Sequence, residues 1–289
     1  MAAELTTTGR RQIAAVMLSW ESADIIERVV KSTREWSDLV LVLDTGSTDG
    51  SLDILRRVAA EDAAVQVFAT RTDAGSFNHG RCVNFLLDRL EESGADPYWV
   101  AKIDCDEMFE PGFVELSLPV IRNLPSAYTQ ASFRRPTLFY SETMLIKGVY
   151  DDDFREQPFQ RWRRGLRYPE TRHHLHRSLI RPPVTYFSNA LLLHYSLRST
   201  SRSRLQYERL QAIDREWPHL LLEAGDDRVE LEELVPLRDR DPDRPPSRID
   251  VSIAMVRGRT PAWLKRPILR SMEAVLGRRR ALDALVGSR

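Results

Sequence analysis

Five consecutive apolar residues, Leu39-Val40-Leu41-Val42-Leu43, run directly into a carboxylate, Asp44. A strand that is apolar at every position, without alternation, is buried on both faces, as in an inner strand of a parallel sheet covered by helices on two sides. Ile13 to Leu18 is a second short apolar run of this kind. Between the two, Ser22 is placed as a helix N-cap, and Ile25, Ile26, Val29, Val30 and Thr33 recur on one helical face up to about Trp36. The alternation continues with a helix from Ser51 to about Ala60, a strand from Val65 to Ala69, and a helix opened by Asn78 that turns Val83, Leu86, Leu87 and Leu90 inward. A strand from Tyr98 to Ile103 follows. This order predicts a doubly wound α/β sheet whose ligands bind beyond the carboxyl ends of the strands.

Beyond Ala127 the pattern is less regular. Strands are expected over residues 127–134, 175–180 and 185–195, and a helix from Ser199 to Trp217. Residues 236–248, dense in Pro, Asp and Arg, read as a linker. The expected division is a catalytic domain over 1–235, the linker, and a basic helical tail over 249–289.

At 289 residues, 42% hydrophobic and 29% charged, the chain can bury a substantial core and has ordinary globular composition. Its 42 basic and 42 acidic residues cancel, so no overall field points to nucleic acid. Cys82 and Cys105 supply neither a disulfide framework nor a thiolate zinc spacing. The first eleven residues are polar and lack the apolar stretch and cleavage site of a signal peptide. The apolar runs are far shorter than the roughly 18 residues a membrane span needs. The expected location is cytoplasmic, or peripheral on the inner face of the membrane.

Two acidic segments carry the chemistry. Asp44-Thr45-Gly46-Ser47-Thr48-Asp49-Gly50 leaves the second strand and enters a helix. Its glycines permit close turns, and its carboxylates sit where a ligand crevice should open. A polar turn capped by Asp and Ser is the competing reading of the same residues. Asp104-Cys105-Asp106-Glu107 follows the fourth strand and adds carboxylates to the same edge. Hard cations such as Mg2+ or Mn2+ take oxygen ligands, commonly one or two carboxylates shared with substrate phosphates.

Together the two segments resemble the nucleotide-binding half of the family 2 glycosyltransferases, most specifically over residues 13–112. Arg161-Trp162-Arg163-Arg164, His174-Leu175-His176 and Leu193-His194-Tyr195 look like further landmarks. The resemblance implies a GT-A type, mostly parallel α/β core with an acceptor-side β/α region. It implies transfer of a sugar from a nucleotide-diphosphate donor to an acceptor hydroxyl, metal-dependent and inverting, on a carbohydrate or lipid-linked acceptor. By the same resemblance Asp44 would contact base or ribose, Trp20 would stack on the base, and Arg81 would neutralise phosphate. Glu21, Ser47 and Asp49 would complete the nucleotide-sugar site. Asp104 would face ribose or metal, Asp106 would bind the divalent ion, and His194 would complete its ligand set.

The chain also departs from that pattern. Trp20-Glu21 stands where many relatives carry Asn-Glu, and Arg177 follows His176 where many carry Glu. The carboxylate that takes the acceptor's proton is therefore sought nearby, in Glu170 or Asp153. His173, His174 and His176 lack the spacing of a zinc site. A nucleotidyltransferase, a metal-dependent hydrolase and an inactive nucleotide-sugar-binding module are the alternatives, although no Gly-rich, Arg-containing loop follows the first strand to hold a triphosphate.

The tail qualifies the neutral total. From Arg257 to Arg289 it holds nine basic and two acidic side chains, with Ile268, Leu269, Met272, Val275, Leu276, Leu282, Leu285 and Val286 at near-helical spacing after Trp263. A basic amphipathic helix of this kind suits an anionic membrane surface; packing on the catalytic domain is the other reading.

Overall fold

The structure, a computed structural model, describes residues 10–71, 77–139, 144–146, 155–170, 179–180, 183–197, 234–236 and 252–253. The alternation read from the sequence is present. Strands β1 (Ile13–Ser19) and β2 (Leu39–Asp44) are buried along their whole length. Helix α1 (Ile26–Trp36) joins them and turns Ile26, Val29, Val30, Thr33 and Trp36 to the sheet. Next come α2 (Ser51–Glu61), β3 (Val65–Ala69), α3 (His79–Glu92) and β4 (Trp99–Asp104). Strands β3, β2, β1 and β4 lie side by side in that order, all parallel. This is the doubly wound α/β core expected of the GT-A type.

The second half extends the sheet in mixed sense. A short strand β5 (Glu107–Phe109), a π-helical turn (Phe113–Ser117) and α4 (Leu118–Asn123) lead to β6 (Gln130–Arg134), β7 (Thr137–Phe139) and β8 (Met144–Ile146). Strand β9 (Arg155–Arg161) pairs antiparallel with both β4 and β6, so it is the seam between the halves. The long β10 (Val184–Leu197) runs beside β6, then shifts register between Phe187 and Leu191 and continues against β5 and β7. Strands β11 (Leu234–Pro236) and β12 (Ser252–Ile253) pair with β8 and β10. The latter lies inside the stretch read as tail; the remainder of that tail, the linker after Pro236 and the helix expected over 199–217 lie outside the described residues.

Caps test the local readings. Asn78 caps α3 as expected, its side chain accepting from Arg81 N–H. Ser22 does not cap α1 with its hydroxyl: Ile25 is the N-cap, and the Ser22 carbonyl accepts from the N–H groups of Ile25 and Ile26. The Ser22 side chain is buried instead between the ends of β1 and β4, donating to Trp20 O at 2.9 Å and lying 3.1 Å from Cys105 Sγ.

Helix α3 fastens the segment after β9. Asn84 exchanges two hydrogen bonds with the Tyr168 backbone, and Glu91 accepts from Gly165 N–H. Gly80 makes the close approach possible, because a Cβ there would lie 1.9 Å from the Pro169 carbonyl oxygen. Gly80→Ala should therefore push Pro169 and Glu170 off the helix and cost about 1–3 kcal/mol, read as a lowered Tm; an unchanged Tm would show that this contact is not made.

Candidate active site at the carboxyl ends of the parallel strands

Strand register sets the site. Ser19 is the partner of Asp44, and Leu18 the partner of Asp104, so both acidic segments leave the sheet at one edge. In a doubly wound sheet this is the ligand-binding edge.

The first segment forms a knot. Asp44, 1% exposed, accepts from Gly46 N–H, Ser47 N–H and, at 2.6 Å, the Ser47 hydroxyl. Glu21 N–H donates to Ser47 Oγ, while Glu21 Oε1 accepts from the N–H and hydroxyl of Thr48. Among the described residues Glu21 is the non-glycine with positive φ, at 47°, a conformation kept only where surrounding contacts impose it. Asp49 accepts from Ala23 N–H and from the N–H and hydroxyl of Ser51. Partial burial would raise the Asp49 pKa, but these bonds hold it below the usual carboxylate value. The structure thus brings Glu21, Asp44, Ser47 and Asp49 together beside the half-buried Trp20, and their side chains first of all build the turn.

The second segment rests on a buried ionic cluster. Lys102 Nζ lies 2.6 Å from Asp104 Oδ1, inside the sheet. Arg135, between β6 and β7, pairs with Glu107, lies 3.5 Å from Glu156 Oε1 and 3.9 Å from Asp104 Oδ2. Glu107 Oε2 accepts from Asp104 N–H at 2.9 Å, closing the turn on itself. Burial, reinforced by Asp104 and Glu156, raises Glu107 to about 7 against the pull of Arg135 and Lys102. The same carboxylates raise Arg135, which stays charged at every working pH. Burial likewise raises the Tyr168 phenol, helped by Glu156 and Asp104.

Asp106 and His194, both buried, face each other with Nε2 3.6 Å from Oδ1. The ladder between β5 and β10 sets this distance: His194 is the partner of Glu107, and Tyr195 N–H donates to Asp106 O. Two ligand bonds of about 2.1 Å span up to about 4.2 Å, so one ion fits between the pair. A carboxylate oxygen and an imidazole nitrogen suit Mn2+ or Mg2+ completed by phosphate and water. Among the described residues no group of three His, Cys, Asp or Glu side chains converges to hold an ion alone.

Arg81 and Glu170 stand on the exposed start of α3 and the segment packed on it, paired with each other at 3.4 Å. Asp153, His173, His174 and His176 lie outside the described residues. Lys102, Thr137, Arg135 and Glu156 were not singled out in the sequence. Lys102 carried a signal, a lone cation two residues before Asp104 and hence on the same strand face. Arg135, Thr137 and Glu156 carried none, because only the assembled sheet brings them to the turn.

Fold and site together define an α/β protein with two acidic segments at one edge of the sheet, a buried ionic cluster and a carboxylate–imidazole pair. No family model matches the sequence. Solved structures that it resembles include S. aureus TarS, at 14% identity and TM-score 0.43 over 77% of this chain and 46% of that one. Another is glucosyl-3-phosphoglycerate synthase from Mycobacterium tuberculosis in complex with Mn2+, uridine diphosphate and phosphoglyceric acid, at 20% identity and TM-score 0.29 over 43% of each chain. A third is GalNAc-T7 with UDP, GalNAc and Mn2+, at 12% identity and TM-score 0.33 over 45% of this chain and 24% of that one. The chain spans less than half the length of each of these proteins.

The raised Glu107 pKa has a consequence for stability. Between its ordinary 4.5 and about 7 the folded protein keeps a proton that the unfolded chain has released. The contribution of Glu107 is thus full below the lower value and is lost as pH rises to the upper one. In EDTA, Glu107→Gln should flatten the stability–pH profile across that window by about 3 kcal/mol, measured by urea unfolding. A slope identical to wild type would contradict the assignment.

Proposed function

We propose that this chain is a metal-dependent glycosyltransferase of GT-A type, similar to family 2, that moves a sugar from a nucleotide-diphosphate donor to an acceptor hydroxyl with inversion. The observation that carries the reading is the Asp106–His194 pair on the turn that follows β4. Among the described residues, Asp104, Glu107 and Glu156 are tied to Lys102 and Arg135, which fixes the turn that carries Asp106. Asp106 and His194 would hold a divalent ion, which when bound offsets the charge on the departing nucleotide diphosphate.

Asp104, about a quarter exposed and held by Lys102, is proposed to face ribose or the ion. Asp44, which holds the turn through Gly46 and Ser47, is proposed as the contact for base or ribose. Trp20 offers a stacking surface and Arg81 a phosphate partner. Glu170 is proposed as the base for the acceptor hydroxyl, with Asp153 as the alternative. The acceptor is proposed to be a carbohydrate or a lipid-linked sugar.

A panel of nucleotide diphosphates and nucleotide sugars, each with and without Mn2+, tests the reading by thermal shift. A ligand at 100 times its Kd adds roughly 2.7 kcal/mol, so a cognate nucleotide should raise Tm only with the ion. Asp106→Asn should melt like wild type without ligand, lose the Mn2+-dependent shift and abolish transfer. Wild type indifferent to every nucleotide with Mn2+, or Asp106→Asn with near-normal turnover, would overturn the assignment.

The protein is further proposed to work in the cytoplasm, with its basic tail on the inner face of the membrane. No helix among the described residues is long and apolar enough to cross a bilayer. The full chain should float with anionic liposomes at low salt and be released at high salt; failure to float at low salt would remove the membrane role.

A further inference from the structure

An imidazole offers an ion one nitrogen, and the partner of the other nitrogen decides which. Strand β7 supplies that partner for His194. Thr137 is the register partner of His194 in the parallel pair of β7 and β10. Its hydroxyl lies 2.9 Å from Nδ1, with Ser196 Oγ at 3.4 Å from the same nitrogen. Both Thr137 and His194 are buried, so the hydroxyl is a fixed neighbour of the ring. The opposite nitrogen, Nε2, faces Asp106.

The backbone of the same segment holds the ring's carrier, because His194 N–H donates to Pro136 O at 3.0 Å. One residue earlier Arg135 grips Glu107, the neighbour of Asp106. Residues 135–137 therefore touch both halves of the pair, Asp106 through Glu107 and His194 directly.

We infer that Thr137 is a positioning residue for the divalent cation: its hydroxyl accepts the Nδ1 proton of His194, leaving the Nε2 lone pair turned to Asp106. The inference rests on the reading of Asp106 and His194 as a cation pair. A threonine needed only as a strand former would be replaced by valine without effect, since both are β-branched and suit strands. A threonine that sets the ring would not. Partners that orient a ligating histidine typically change metal affinity by roughly 10–100-fold when removed.

The test is a Mn2+ titration of the full chain followed by electron paramagnetic resonance of the free ion, alone and with uridine diphosphate. Thr137→Val should raise the Kd for Mn2+ by roughly ten- to a hundredfold, whereas Thr137→Ser, which keeps the hydroxyl, should stay close to wild type. Melting in EDTA should not distinguish the three. A Kd for Thr137→Val equal to that of a Mn2+-binding wild type overturns the inference and leaves the cation pair standing. A wild type that takes up no Mn2+ under either condition overturns both. Nitrogen-15 NMR of the imidazole in wild type loaded with diamagnetic Mg2+ gives a readout that needs no Thr137 variant. It should show His194 protonated on Nδ1, and protonation on Nε2 would sink the proposal.

Discussion

The arrangement depends on one buried guanidinium. Arg135 lies among Glu107, Glu156 and Asp104, and these belong to the β4–β5 turn and to β9. It therefore joins the parallel half of the sheet to the mixed half at the point where the site opens. Removing one partner of a buried ion pair strands the others and costs about 3–5 kcal/mol. A cluster with this much at stake has few alternative geometries. That rigidity is what a turn needs if it is to hold Asp106 in one place.

The other acidic segment reaches rigidity by a different route. Its carboxylates are satisfied by N–H and hydroxyl donors of the neighbouring turn, and the strained Glu21 is held by Ser47 and Thr48. Such a turn is already organised before a ligand arrives, so binding costs it little ordering. The structure shows Asp44 in the capping role: it is buried and its carboxylate fixes the turn.

Much of the core could be read from the sequence because the parallel strands advertise themselves. The unbroken runs in β1 and β2 and the largely apolar β4 call for burial on both faces, and the structure sets Ser19 beside Asp44. The pairing of His194 with Asp106 was expected from resemblance to a family, and the geometry brings them face to face. Ser22 misled because a serine before a helical stripe reads as a cap from sequence alone, while its burial beside Cys105 is a tertiary fact. Arg135 and Thr137 were illegible for the same reason. An arginine in an Arg-rich stretch and a threonine in a short strand look ordinary until β9 and β10 are set beside them.

Strand β10 explains why the candidate cation site belongs to the whole sheet and not to the parallel half alone. Its first part is a partner of β6, and after the register shift its second part is a partner of β5 and β7. The shift carries His194 across from the mixed half to the turn that follows β4. Asp44, Asp104 and Asp106 are all delivered by the first half of the chain, but an ion needs more than one well-placed donor to outcompete water. The imidazole comes from the second part of β10, Thr137 from β7 beside it and Arg135 from the link between β6 and β7. An isolated parallel half would keep its carboxylates and lose both the donor opposite Asp106 and the cation that anchors Glu107.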